Sequence, residues 1–189
     1  MNGKISDAEK WKWLDDLLCG LEGSISCVYK NLVTGERYCY RENEVHPSAS
    51  VIKIFLMAYV MQLACDGKLR LTDRIRLRRE DMAESCGVLY YLKDVEEMSV
   101  RDLMELMIIV SDNIATNMLI DYLGLAAIND CIQSYGWRDS ILHNPIDFAR
   151  YDKLGTSTPA DYGDLFNRLA KETLVSREAS RQMLSICKK

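Results

Sequence analysis

The sequence predicts an α+β domain, mostly helical, with one small antiparallel β-hairpin near its N-terminus. The run "SASVIKIFLMAYVMQLAC" at 48–65 is apolar almost all round, as a helix buried on every side must be. Two short stretches rich in β-formers, "SISCVYK" and "ERYCYRE", flank Thr34-Gly35, which is turn chemistry between strands. Beyond residue 99, apolar residues recur at helical spacing between breaks at Gly124, Gly136 and Thr158-Pro159.

Each element can be justified in chain order. Ser6 followed by Glu9 resembles a capping box, and Leu14, Leu17, Leu18 and Leu21 then trace one face of an amphipathic first helix until Gly20 and Gly23 interrupt. The hairpin comes next, and the loop to Pro47 leads into the apolar helix, whose end Gly67 suits. In "KLRLTDRIRLRR", Lys68, Arg70, Arg74, Arg76, Arg78 and Arg79 alternate with Leu69, Leu71, Ile75 and Leu77. Period-two alternation reads as a half-buried extended segment with a solvated basic face, and needs no ligand to explain it. Ser99, with Asp102 three residues on, starts the helix "VRDLMELMIIV", which runs directly into "SDN" at 111–113. "IATNMLIDYL" is a further helix ending at Gly124, and another near 126–135 ends at Gly136. Residues 137–157 read as a long irregular loop. Pro159 then sits at the first position of a helix, and a last helix runs from about Ser176. With no internal repeat or low-complexity linker, residues 1–189 are expected to form a single domain.

Composition narrows the function classes. Twenty-four basic against 28 acidic residues give a net charge of −4, so nothing in the overall field calls for nucleic acid. Seven cysteines without a C-x-x-C pair indicate neither a zinc site nor a disulfide framework, and fit a reducing compartment. No Gly-rich phosphate loop or metal-spaced cluster is present, so no cofactor is expected. His46 and His143 are the only histidines, and no motif ties an aspartate to either, which argues against a Ser-His-Asp triad.

The chemistry concentrates at Ser50 and Lys53. Residues three apart share a helix face, so the hydroxyl and amine can come within hydrogen-bond reach. Burial disfavours the charged form of lysine and leaves an amine able to act as base. A base beside a serine hydroxyl activates it as a nucleophile without histidine, and the N–H groups at a helix start favour a developing oxyanion. The alternative is a snorkelling lysine whose head reaches water. Spacing does not decide between them, because 14 serines and 11 lysines produce roughly 0.8 Ser-x-x-Lys matches by chance. A second match at Ser185 and Lys188 lies beside the charged chain end and needs no explanation. "SDN" is more specific, with only about 0.05 chance occurrences. Ser111 and Asn113 can converge on one cleft only if the tripeptide is a turn between helices; the alternative is helix capping, with Asp112 bonding backbone amides.

"SASVIK", "VSDNIATNMLID" and "TSTP" after a long loop together resemble class A serine β-lactamases and the related penicillin-recognising serine hydrolases, whose signature pairs Ser-x-x-Lys with Ser-Asp-Asn. The hairpin, "GVLYYL" and "SRQML" fall in the order that family requires, so the resemblance spans the whole chain. It implies a β-lactamase/transpeptidase-like fold, acyl-enzyme chemistry on a β-lactam or a related amide or ester, and a small-molecule partner. By the same resemblance Ser50 is the acylated nucleophile and Lys53 its activator. Ser111 relays a proton toward the leaving nitrogen, while Asn113 holds the substrate's side-chain amide and helps orient Lys53.

Two departures from that pattern set further expectations. The family's Lys-Thr-Gly strand should follow the last helix, whereas this chain closes on "SICKK" without it, so the domain is expected to be incomplete at the C-terminus. The strand at 24–30 would then keep an unpaired edge open to self-association, and the second oxyanion donor, worth about 10²- to 10³-fold in rate, would be missing. The loop at 137–157 contains Asp139, Asp147 and Asp152 but no glutamate to direct a deacylating water. Slow deacylation, as in a penicillin-binding peptidase, or a non-catalytic sensor module is therefore the competing expectation. The N-terminus "MNGKISDAEK" lacks an apolar signal region and Lys53 breaks the longest apolar run, so a cytoplasmic chain without a membrane segment is expected as written, although the family is often exported.

Overall fold

A computed structural model of the chain describes residues 7–78, 86–147 and 154–189, with side chains from residue 10 onward. Helix α1 (Asp7–Cys19) precedes a hairpin of β1 (Cys27–Lys30) and β2 (Arg37–Tyr40), and β3 (His46–Pro47) leads into a 3₁₀ turn at Ala49–Ile52. Then follow α2 (Lys53–Cys65), β4 (Arg74–Arg76), a second 3₁₀ turn at Leu89–Tyr91 and β5 (Glu97–Ser99). The rest comprises α3 (Val100–Ile109), α4 (Asn113–Leu123), α5 (Leu125–Ser134), β6 (Ile141–Leu142), β7 (Gly155–Ser157), α6 (Pro159–Ala170) and α7 (Arg177–Cys187). The α+β expectation holds: among the described residues helices dominate and every strand pairing is antiparallel.

Helix α2 is the centre, packed by α3, α5 and α7, which is why its sequence shows no polar face. Ile54 to Ala58, Val60 and Met61 are buried, and Phe55 meets Trp137 edge-on at 4.9 Å. Four helices begin on side-chain caps: Ser99 accepts from the Asp102 N–H, Asp112 from Ala115, Thr158 from Asp161 and Ser176 from Ala179. The basic segment behaves as its alternation predicts as far as residue 78, with Leu69 and Leu77 buried and Arg70, Arg74, Arg76 and Arg78 exposed, and β4 pairs with β5; Arg79 lies outside the described residues.

Three expectations need correction. Residues 137–157 are not wholly irregular, because β7 pairs with both β3 and β6, forming two-residue ladders too short to show a period in sequence. The α-helix begins at Lys53, so Ser50 lies on a 3₁₀ turn rather than within α2. The leucine face of α1 is only half covered, with Leu17 and Leu21 each about half exposed, while Trp11 provides the anchor by stacking on Tyr38 at 4.7 Å. Ser6 of the expected capping box lies outside the described residues.

Candidate active site

Lys53, which breaks the longest apolar run, is 2 % exposed, so the snorkelling alternative fails. Its Nζ makes three hydrogen bonds, to Ser111 O at 2.8 Å, Ser111 Oγ at 2.9 Å and Asn113 Oδ1 at 2.8 Å. An ammonium has three donors, and all three are matched across the domain by residues about sixty positions away. Ser50 Oγ is not among the partners, so the Ser50–Lys53 hydrogen bond suggested by spacing is not formed here. The amine has been drawn toward "SDN" instead. Burial lowers the Lys53 pKa from 10.5 to about 8, partly opposed by the acidic groups of Cys86 and Asp112. The ammonium therefore loses its proton within reach of neutral pH. In the neutral form the amine can donate two hydrogen bonds and accept the Ser111 hydroxyl proton through its lone pair.

"SDN" is the inter-helix break that convergence requires. Ser111 adopts a left-handed φ of 54°, which costs a non-glycine residue about 1 kcal/mol or more, and the turn thereby brings its carbonyl and hydroxyl together onto Lys53. The capping alternative is also realised, by a different residue. Asp112, completely buried, caps α4 by accepting the Ala115 N–H at 3.0 Å. Its second oxygen accepts the N–H groups of Val88 at 2.7 Å and Leu89 at 2.9 Å, and Cys86 O accepts the Asn113 N–H at 3.0 Å. Bonds to a buried carboxylate are individually worth about 1.5–3 kcal/mol, so this clamp fixes residues 86–89 firmly across the turn.

Ser50 is half-buried on the 3₁₀ turn, next to Ala49, whose φ of 44° is also left-handed. The turn is anchored from behind by Ser48, whose N–H donates to Gly155 O at 2.9 Å. A Cβ at Gly155 would lie 2.7 Å from Ile141 O and 2.9 Å from Ser48 Oγ, so only glycine lets β7 approach so closely. The arrangement thus brings Lys53, Ser111 and Asn113 into direct contact and places Ser50 one turn before Lys53. It offers an alcohol, a desolvated amine and a second hydroxyl on a strained turn.

Sequence reasoning missed two contributors. Asn117 clasps the backbone of Ile146, donating from Nδ2 to its carbonyl at 2.9 Å and accepting its N–H on Oδ1 at 2.7 Å, which fastens the described part of the loop to α4. Its position four residues after Asn113, on the same helix face, was the available signal. Gly87 was the other. The remaining candidates lie elsewhere: His46 Nε2 bonds Ser26 Oγ at 2.6 Å, His143 Nε2 bonds Thr156 Oγ1 at 3.1 Å, and the Asp139 N–H donates to Asp161. Asp152 falls outside the described residues. Among the described residues no group of three His, Cys, Asp or Glu is placed to hold a metal ion. A groove of about 1120 Å³ runs beside β1 and α6, bordered by Val28, Tyr29, His46, Tyr162 and Phe166, but it is not lined by Ser50, Lys53 or Ser111.

Comparison with known proteins matches residues 11–189 to the model of the β-lactamase enzyme family. The chain belongs to that family. It is similar to β-lactamase BRO-1 of Moraxella catarrhalis, 28% identical over 157 residues that cover 80% of this chain and 50% of the relative. Among solved structures it is similar to a β-lactamase from Sphaerobacter thermophilus, with a TM-score of 0.83 and 34% identity over 93% of this chain and 68% of the other. A mutant of PBP-A, determined as an acyl-enzyme complex with penicillin G, matches with a TM-score of 0.85 and 25% identity over 98% of this chain and 70% of that one. The chain spans about half the length of the curated relatives it matches. Among the described residues no helix is long and apolar enough to cross a membrane.

Proposed function

We propose that this chain carries the acylating half-site of a serine hydrolase acting on β-lactams, with Ser50 as nucleophile. One observation carries the reading: a dry Lys53 amine held by Ser111 and Asn113, one turn after Ser50. Neutral Lys53 takes the Ser50 hydroxyl proton as Oγ bonds to the lactam carbonyl carbon. The ring C–N bond then breaks, and the Ser111 hydroxyl gives its proton to the departing nitrogen while recovering one from the Lys53 ammonium. The products are an ester on Ser50 and a protonated nitrogen, with every proton accounted for. Asn113 orients Lys53 and offers its amide nitrogen to the substrate's side chain.

Removal of the acyl group is a separate step. No glutamate lies in 137–157 to direct water, so the ester on Ser50 is long-lived, as expected of a penicillin-binding peptidase. The likeness to PBP-A, a mutant of which was determined as an acyl-enzyme complex with penicillin G, supports the acylation step. Intact-protein mass spectrometry after exposure to benzylpenicillin tests it. An adduct of intact penicillin mass that persists for hours is expected; a transient adduct would make the protein a fast hydrolase, and none at all a binding module.

The hairpin carries a further part of the proposal. Among the described residues β1 pairs only with β2, and its flank borders the groove. An edge with unpaired backbone groups favours self-association through added strand pairing. Sedimentation velocity over a wide concentration range should show dimer growing with concentration; a single monomer boundary throughout would end the idea.

A further inference from the structure

Gly87 sits in the segment that crosses over "SDN". Its φ is +114°, and an ideal Cβ there would lie 2.2 Å from Asp112 Oδ2, 2.3 Å from Asp112 Cγ and 2.5 Å from Asp112 Cα. No other described glycine meets its surroundings so tightly. The obstruction cannot be relieved by swinging the aspartate away, because its carboxylate is fully buried and bonded to three N–H groups. Ordinary contact between carbon atoms needs about 3.5 Å, so a side chain at 87 must part the two backbones by about 1 Å. Residue 112 lies between the two residues that hold Lys53, so moving its backbone moves both sets of acceptors. The Asn113 N–H additionally donates to Cys86 O, which ties the same displacement to residues 86–89.

We propose that Gly87 is a positioning residue for acylation: by lacking a side chain it lets residues 86–89 seat on Asp112, and thereby sets where Ser111 and Asn113 meet Lys53. The proposal rests on the acylation reading above. A misplacement of about 1 Å can cost about 10²-fold in rate.

The test compares Gly87→Ala with Gly124→Ala in the full chain. Gly124 also has a left-handed φ, +83°, but a Cβ there meets nothing within 4 Å, so it reports backbone strain alone. With benzylpenicillin as probe, Gly87→Ala is expected to acylate about 100-fold more slowly than wild type, and Gly124→Ala at close to the wild-type rate. Equal acylation by wild type and Gly87→Ala would overturn the proposal. A substrate-free reading separates this from the acylation proposal itself: the titration midpoint of Lys53, followed by NMR with nitrogen-15-labelled lysine. It should move in Gly87→Ala by more than about half a pH unit and stay in place in Gly124→Ala. An unmoved midpoint in Gly87→Ala overturns the positioning role, whereas an unlabelled wild type with a moved midpoint strikes only the acylation reading. If Gly87→Ala fails to fold, Asp112→Asn probes the clamp from the other side, replacing one acceptor oxygen by a donor. On the high-pH plateau, where Lys53 is neutral in both proteins, it should acylate at least about tenfold more slowly; wild-type speed there overturns the proposal.

Discussion

Replacing Ser50, the proposed nucleophile, with alanine is expected to leave no penicillin adduct on the protein. Loss of the attacking oxygen removes the covalent step itself, and the expected fall in acylation is at least about 10⁴-fold, below detection by mass. The fold should tolerate the change. Ser50 is half-buried on the surface of a 3₁₀ turn, and no side-chain hydrogen bond ties it to the other described residues. Ser50→Ala is therefore expected to match wild-type stability within about 0.5 kcal/mol, measured by urea denaturation. An adduct surviving in this variant would assign the nucleophile to another residue. Peptide mapping would then name it.

Removing the Lys53 amine has the second largest effect. Lys53→Met keeps the length and burial of the side chain but removes the base, a contribution of about 10²- to 10⁴-fold. The pH profile makes the assignment specific. Burial pulls the group down to about 8, so only about a tenth of it is neutral at pH 7. Acylation by wild type should climb about tenfold per pH unit below that midpoint and level off above it. Lys53→Met should lose that inflection as well as the rate. A flat wild-type profile between pH 6 and 9 would exclude Lys53 as the base. The same lowered value bears on stability: the unfolded chain keeps its lysine proton up to about 10.5, so this group's penalty, full below pH 8, diminishes as pH rises from about 8 to 10.5.

What could be read from the sequence was local. The Thr34-Gly35 turn, the caps at Ser99, Thr158 and Ser176, and the break at Ser111 each arise from chemistry within a few residues, and each is present. So did the apolar character of α2, which announces a central helix. The partners of Lys53 could not be read in that way, since they are 58 and 60 residues distant. Spacing pointed the amine at Ser50; the packed domain points it at the opposite turn. Nothing in "SCGVLYYL" singles out Gly87; its constraint comes from the Asp112 carboxylate, distant in sequence, that packs against it. The pairing of β3 with β7 escaped for another reason, because a two-residue ladder has no period to detect.

The bonds of Lys53 are also expected to form late in folding. Both of its partner residues are reached only by closing a loop of nearly sixty residues, a contact that local helix formation does nothing to assemble. A compact intermediate with its helices already in place would lack the gathered trio and would be chemically inert. With Ser50 as the proposed nucleophile, covalent capture of penicillin would report completed tertiary order and separate native molecules from collapsed ones that share their circular dichroism.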